Sequence, residues 1–398
     1  MGSKTIYSRI IEWIDSRIGF TKTILRPAPE HAMHPFYWIG GLAVIALMIQ
    51  GLTGIFMLLY YVPSTDQAYS STVYIMKSVP LGLFVETLHL YTAYAMILLA
   101  FAHMMRNFFA SVHKMPRELM WLVGMVMGFV VLSFGLTGYL LPWTVVSKSA
   151  TDVAIGMLNV LPTQIGNIVK FLAAGSGSDA AELDRFLAVH TVLLPVALLS
   201  LLAVKLYMFE VHGSPEPATG VKFQARDLPW FPNVFLYLTM IGVVFVAVML
   251  AVSALFPLVL PPEFSPQAAA AYVSQPDWYF LWMYQILKFA PMEGPGIYYA
   301  LGGITLFMAL LTLLPFYDRG IERNPASRPL FVTIGVIMVA ELAALTIWGY
   351  LTPGQVIPSV QAAAVTGGVA VIVLLLSWII FRIQRRTRTK PVGGSSGK

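Results

Sequence analysis

Apolar stretches long enough to cross a bilayer recur along the chain at approximately 36–61, 86–110, 119–141, 186–210, 233–257, 297–316, 329–351 and 361–382. A hydrocarbon core needs about 20 apolar residues per helix, so the pattern predicts an all-α polytopic membrane protein with eight transmembrane helices. Two shorter apolar segments, 151–172 and 267–289, contain prolines or polar residues. They read as surface or re-entrant helices, the kind that line a cavity. Residues 1–35 lack a long apolar core. Ile10, Ile11, Trp13, Ile14 and Ile18 lie against Arg9, Asp15 and Arg17, which predicts an interfacial amphipathic segment and no cleavable signal. A polar stretch at 213–229 separates a first half, 36–212, from a second, 230–383. Residues 384–398 read as a basic, flexible tail ending in a Gly/Ser run.

Eight spans put both termini on one side. The terminal side collects Lys4, Arg9, Arg17, Lys22, Arg26, Arg106, Lys114, Arg117, Lys222, Arg226, Arg319, Arg323, Arg328 and the tail. The other side holds only Lys77, Lys148, Lys170, Arg185 and Lys288. The positive-inside rule therefore predicts cytoplasmic termini. Composition agrees: 58% of residues are hydrophobic and 11% are charged. The net charge of +6 follows this topology and does not indicate a nucleic-acid partner. The chain has no cysteine, which excludes disulfides, thiolate-held clusters and thioether-attached haem on it.

The second span, E-T-L-H-L-Y-T-A-Y-A-M-I-L-L-A-F-A-H-M-M-R (86–106), carries His89 and His103 fourteen residues apart. Fourteen α-helical steps leave them about 40° apart in azimuth and roughly 21 Å apart along the axis. One lies near each side of the membrane core. An imidazole in lipid is costly unless it faces a partner, and a vertical pair suits two stacked haems. The fourth span offers His190. Lys205 follows fifteen residues later and about 60° round, while His212, twenty-two residues on, is too far for the inner level. Lys205 reads in three ways: as a neutral amine ligating the inner iron, as a side chain snorkelling to the headgroups, or as a partner of a propionate or quinone oxygen. Gly40 and Gly54 on the first span, and Gly124 and Gly138 on the third, repeat the fourteen-residue interval. Such glycines let a flat ligand or a neighbouring helix approach closely, although small-residue packing is common in membranes. A proton relay in a transporter or channel is the competing reading of these histidines.

Several motifs resemble the cytochrome b family, the core subunits of bc1 and b6f quinol:cytochrome c oxidoreductases. They are Q-G-L-T-G-I-F-M-L-L-Y-Y (50–61), the two histidines with Arg106, K-M-P-R-E-L-M-W (114–121), G-Y-L-L-P-W (138–143), L-D-R-F-L-A-V-H-T-V-L-L-P (183–195) and P-D-W-Y (276–279). The first half is closer to the b6f branch, but here both parts form one chain. The resemblance implies two haems between the second and fourth spans, b-type by family, since axial ligands alone do not exclude o or a. His89, His190, His103 and Lys205 are the ligand candidates. It implies quinol oxidation on the outer side, at the end of the third span, a short helix at about 152–161 and the P-D-W-Y segment. One electron would go to a Rieske Fe–S partner and on to a cytochrome c-type or other acceptor. The other would cross the membrane to a cytoplasmic quinone site. Family members form homodimeric complexes. An alternative assembly is a terminal quinol oxidase supercomplex.

Individual residues fit these roles. Asp277 is the candidate proton acceptor for quinol; against the plainer reading of a solvated loop acid, Pro276, Trp278 and Tyr279 suggest a packed pocket. Arg106 and Arg117 are propionate partners on the inner side and Arg185 on the outer, against the plainer reading of topology charges. Glu210 and His212 are candidate proton donors at the quinone-reduction site. Departures from the family are Lys205 at the fourth histidine, Glu86 where an arginine usually stands, Asp277 for glutamate, and Trp38 where the b6f branch has a cysteine.

Overall fold

The computed structural model describes residues 6–19, 27–158, 164, 166–168, 171, 179–218, 227–273, 275–289 and 296–388. Lys4, Lys22, Arg26, Lys170, Lys222, Arg226, residues 219–226 of the expected connector and the end of the tail lie outside the described residues. The main helices are α1 (Ile6–Ile18), α2 (Ile39–Leu58), α3 (Ala68–Ser78), α4 (Gly82–Phe109), α5 (Glu118–Leu140), α6 (Val145–Met157), α7 (Asp179–His212) and α8 (Phe235–Leu255). They continue with α9 (Pro266–Ala271), α10 (Leu281–Leu287), α11 (Gly296–Thr312), α12 (Leu314–Tyr317), α13 (Pro329–Leu351) and α14 (Ser359–Arg388). Among the described residues the only sheet pairs Pro27–Pro29 with Asp227–Pro229, joining the entry of α2 to the entry of α8.

Among the described residues seven helices are long and apolar enough to cross a membrane: α2, α4, α5, α7, α8 (counted from Trp230), α13 and α14. The expected span at 297–316 is instead the 17-residue α11 followed by the single turn α12. Pro315 stands at the start of α12. It has no N–H for the helical ladder and crowds the carbonyl four residues back, so the run breaks between the two. The short segments also differ in detail. The helix expected near 152–161 begins earlier, at Val145, because Thr144 and Ser147 form a capping box immediately after Trp143. The 267–289 segment divides into α9, a 3-10 turn at Trp278–Phe280 and α10.

α2 packs along α4, and α5 packs along the Leu194–His212 part of α7. Apolar clusters join these pairs at three levels. Ala68, Leu140, Trp143, Leu183 and Phe186 pack at the outer end. Ala46, Met96, Ile97, Val131, Leu198 and Tyr279 pack in the middle. Met105, Phe108, Trp121, Met125, Leu311, Leu314 and Met338 pack at the inner end, drawing on both halves of the chain.

The K-M-P-R motif lies at this inner end. Lys114 Nζ donates to the carbonyls of Gly320 and Glu322, each at 2.6 Å, and pairs with Asp318 at 3.1 Å. His113 Nε2 lies 2.8 Å from Asp318, which Arg328 also contacts. Burial holds His113 down at about 4, against the pull of the neighbouring carboxylate. The motif thus fastens the α4–α5 loop of the first half to the α12–α13 loop of the second.

Candidate functional site

Four side chains project between the α2–α4 and α5–α7 pairs, and each meets one of the four glycines. A methyl group built on Gly54 would lie 3.5 Å from the His89 ring, and one on Gly40 only 2.8 Å from the His103 ring. Across the bundle, a methyl on Gly138 would lie 2.6 Å from His190, and one on Gly124 2.8 Å from Lys205 Nζ. The repeated glycine interval and the repeated ligand interval therefore meet, residue against residue, at two levels. The outer level holds His89 and His190; the inner level holds His103 and Lys205.

Lys205 reaches this position through a local break in helix geometry. α7 makes a π turn at Val189–Leu193, in which the Leu194 N–H bonds to the Val189 carbonyl. Pro195 follows and cannot donate to the Thr191 carbonyl, so the turn widens by one residue. Fifteen residues containing a one-residue bulge equal fourteen α-helical steps. The 60° offset expected of Lys205 from His190 thereby becomes the roughly 40° offset of His89–His103. The side chain turns onto Gly124 inside the bundle, against the snorkelling expectation. Among the described residues it has no hydrogen bond or ion pair.

The outer level is fully organised. The His89 and His190 ring centres are 6.4 Å apart. Two imidazoles sharing one metal ion, each bonded at about 2 Å, have centres roughly 6.3 Å apart. Thr53 Oγ1 lies 2.8 Å from His89 Nδ1, and Thr137 Oγ1 lies 3.1 Å from His190 Nδ1. Each threonine hydroxyl donates its own hydrogen to a carbonyl one turn back, Ile49 and Ser133 respectively. The hydroxyl oxygens therefore accept from the rings. Nδ1 carries the hydrogen and Nε2 keeps its lone pair, the tautomer a metal needs. The inner level lacks these threonines. Asn107 Nδ2 lies 3.0 Å from His103 Nε2, and His103 Nδ1 is buried without a partner.

Thr53 and Thr137 were not singled out from the sequence. Their signal is a repeated tetrapeptide: G-L-T-G occurs at 51–54 and again at 135–138. Ile39 and Val123 precede the inner glycines instead.

Arginines gather below the inner level. Arg106 donates to Asn107 Oδ1 at 2.9 Å and stacks on Tyr37, 4.0 Å from the ring centre. Arg117 donates to the His212 carbonyl at 3.0 Å. Arg323, which the sequence reading counted only as a topology charge, donates to the carbonyls of Ala110 and Glu216. Burial lowers the Arg117 guanidinium from its usual range, and the charge of Arg323 lowers it further. Nε of both Arg117 and Arg323 is buried without a partner among the described residues. Such a cluster suits an anionic group. Arg185 is exposed and covers Phe171. Glu210 is exposed, and His212 ends α7 with its carbonyl on Arg117.

On the outer side Asp277 sits among aromatic rings. Tyr94 Oη donates to Asp277 Oδ1 at 2.9 Å, and Tyr279 Oη donates to Oδ2 at 3.4 Å. Burial pushes the carboxyl above its usual range, and these two donors pull it back. Tyr279 is buried against Gly135, one turn from Gly138. Trp278 is not enclosed as expected but 37% exposed, edge-on to Tyr94.

Fold and site together define a polytopic helical membrane protein with three imidazoles and one amine set at two levels between its first four membrane-length helices. Residues 24–213 match the family model for cytochrome b/b6/petB, and residues 266–374 match that for the cytochrome b C-terminal part, b6/petD. The chain belongs to the cytochrome b family, with both parts fused. It is 32% identical over 344 residues to the cytochrome bc complex cytochrome b subunit of Chlorobaculum thiosulfatiphilum, covering 83% of this chain and 78% of that one. It is 37% identical over 222 residues to the menaquinol:cytochrome c reductase cytochrome b subunit of Bacillus subtilis, covering 53% of this chain and 99% of that protein. A solved chain of a hyperthermophilic respiratory Complex III superposes with a TM-score of 0.76 at 25% identity, over 93% of this chain and 99% of that one.

Proposed function

We propose that this chain is the quinol-oxidising, electron-carrying subunit of a bc-type respiratory complex in a prokaryotic membrane, with cytoplasmic termini. The observation that carries the reading is the pairing of four glycines with four ligand candidates at two levels, the outer pair of rings at metal-sharing distance. The cytochrome b family implies haem, and the residues fit it: two tautomer-fixed imidazoles, backbone open to a flat ring, and buried guanidiniums with unpartnered nitrogens. When bound, haem supplies a one-electron carrier at each level. His89 and His190 would hold the outer one, and His103 and Lys205 the inner one, with Arg106, Arg117 and Arg323 available for anionic substituents.

Quinol binds beside Asp277 and Tyr279, near the outer ends of α5 and α6. Asp277 accepts its proton, and low exposure of the neighbouring Tyr279 keeps water from the pocket. One electron leaves to a Rieske Fe–S partner and through it to a cytochrome c-type acceptor. The other would pass to a quinone at the cytoplasmic side, where Glu210 and His212 would deliver protons. Oxidation outside and reduction inside together translocate protons.

The test is a potentiometric titration of the visible spectrum of the purified complex, with haem counted per chain. Two low-spin transitions are expected. A single low-spin transition with a high-spin or missing second haem would overturn Lys205 as a ligand. A colourless protein would overturn the whole reading.

A further inference from the structure

The carboxylate at the centre of the proposed quinol pocket is held from a second helix by a residue that no motif marks. Tyr94 lies five residues after His89 on α4, about 140° round the helix and so off the ligand face. It points toward the P-D-W-Y segment. Its ring centre is 6.2 Å from that of Trp278 and 6.1 Å from that of Tyr279, and its hydroxyl meets Asp277 Oδ1 at 2.9 Å. An aspartate keeps its carboxylate about one C–C bond closer to its own backbone than a glutamate does. A long phenol from the facing helix reaches it there. Among the described residues Oδ2 has only the 3.4 Å contact from Tyr279.

We propose that Tyr94 is a positioning residue for quinol oxidation. It ties down Oδ1 of Asp277 and presents Oδ2 as the oxygen that takes the quinol proton. In that step the quinol O–H bond breaks, an Oδ2–H bond forms, and the electron pair stays on the quinol oxygen, whose electrons then leave to the Rieske partner and the outer level. The inference rests on the quinol-oxidation reading above. The titratable groups around Asp277 are tyrosines from every side: Tyr94 on α4, Tyr139 on α5, Tyr272 after α9, and Tyr279 itself. A hydroxyl donor to a carboxylate favours its ionised, proton-accepting form, so removing the donor raises the pH at which the acid becomes a base.

The experiment uses the assembled complex in membranes and a soluble menaquinol analogue, with kcat and KM measured across pH. Tyr94→Phe keeps the ring and its packing. The acid limb of the kcat profile is expected to move up by about one pH unit, lowering the rate about tenfold below that limb, with KM changed less than about twofold. In the Asp277→Asn background, Tyr94→Phe is expected to add less than about twofold. An unmoved limb, or a full Tyr94→Phe effect added to a slow Asp277→Asn variant, would overturn the positioning role alone. Asp277→Asn with unchanged quinol oxidation would overturn both this role and the reading beneath it.

Discussion

The two ligand levels share one scaffold and differ in chemistry. Both set a side chain of α4 and one of α7 against glycines of α2 and α5. At the outer level a threonine fixes each imidazole from the residue before its glycine. At the inner level isoleucine and valine stand in those places, one imidazole is bound by an asparagine, and the other ligand position is a lysine. The outer level is organised in advance by hydrogen bonds. The inner level has unspent polar capacity: His103 Nδ1 is unpartnered, and Lys205 has no hydrogen bond or ion pair among the described residues. A half-buried amine without a polar partner is costly in a membrane, so this level depends more on what it binds. The spacing of a scaffold and the polar support of its ligands are thus separable properties.

The comparison breaks most sharply at the ligands. His190→Ala is expected to abolish the outer low-spin transition while leaving the inner one, an effect larger than the about 10–100-fold that supporting residues carry. Lys205→Ala is expected to abolish only the inner transition, and Lys205→His to give bis-imidazole spectra at both levels. Magnetic circular dichroism of the purified complex reads both results, and unchanged spectra in Lys205→Ala would exclude ligation by this residue.

The glycines come next. Gly138→Val adds bulk within 2.6 Å of the His190 ring and is expected to cost about 1–3 kcal/mol, seen as roughly tenfold weaker haem retention on chelating-detergent washing. Gly54→Ala meets His89 at an ordinary 3.5 Å and should be tolerated. The supports follow, with an effect of the same order. Thr137→Val is expected to lower outer haem retention about tenfold and shift its potential. Asn107→Val should change the inner level less, because Asn107 leaves Nδ1 of His103 unpaired. Equal effects of the two substitutions would show that the levels do not differ in polar support.

Much of this site was legible in the sequence because α-helical periodicity is rigid. His89 and His103 share a face by arithmetic alone, and the glycine pairs repeat that arithmetic. A uniform helix puts Lys205 about 60° round from His190, and it ignores the π turn beside Pro195, which takes up one residue. Trp278 was expected in an enclosed pocket but flanks it, since hydropathy does not say which aromatic faces inward. The break before α12 carried a proline that a sum of apolar residues overlooks. Arg323 and Tyr94 were not read as site residues, because each becomes one only through elements distant in the chain.

The sequence by itself determined the membrane class, the family, the two levels and their vertical interval. These follow from local quantities: hydropathy over a window, a fixed rise and rotation per residue, and short motifs. Tertiary structure alone decided which glycine meets which ligand, which tautomer the outer imidazoles hold, and which tyrosine grips Asp277. Those facts depend on how helices far apart in sequence pack side by side, where a hydrogen bond succeeds or fails over a few tenths of an ångström.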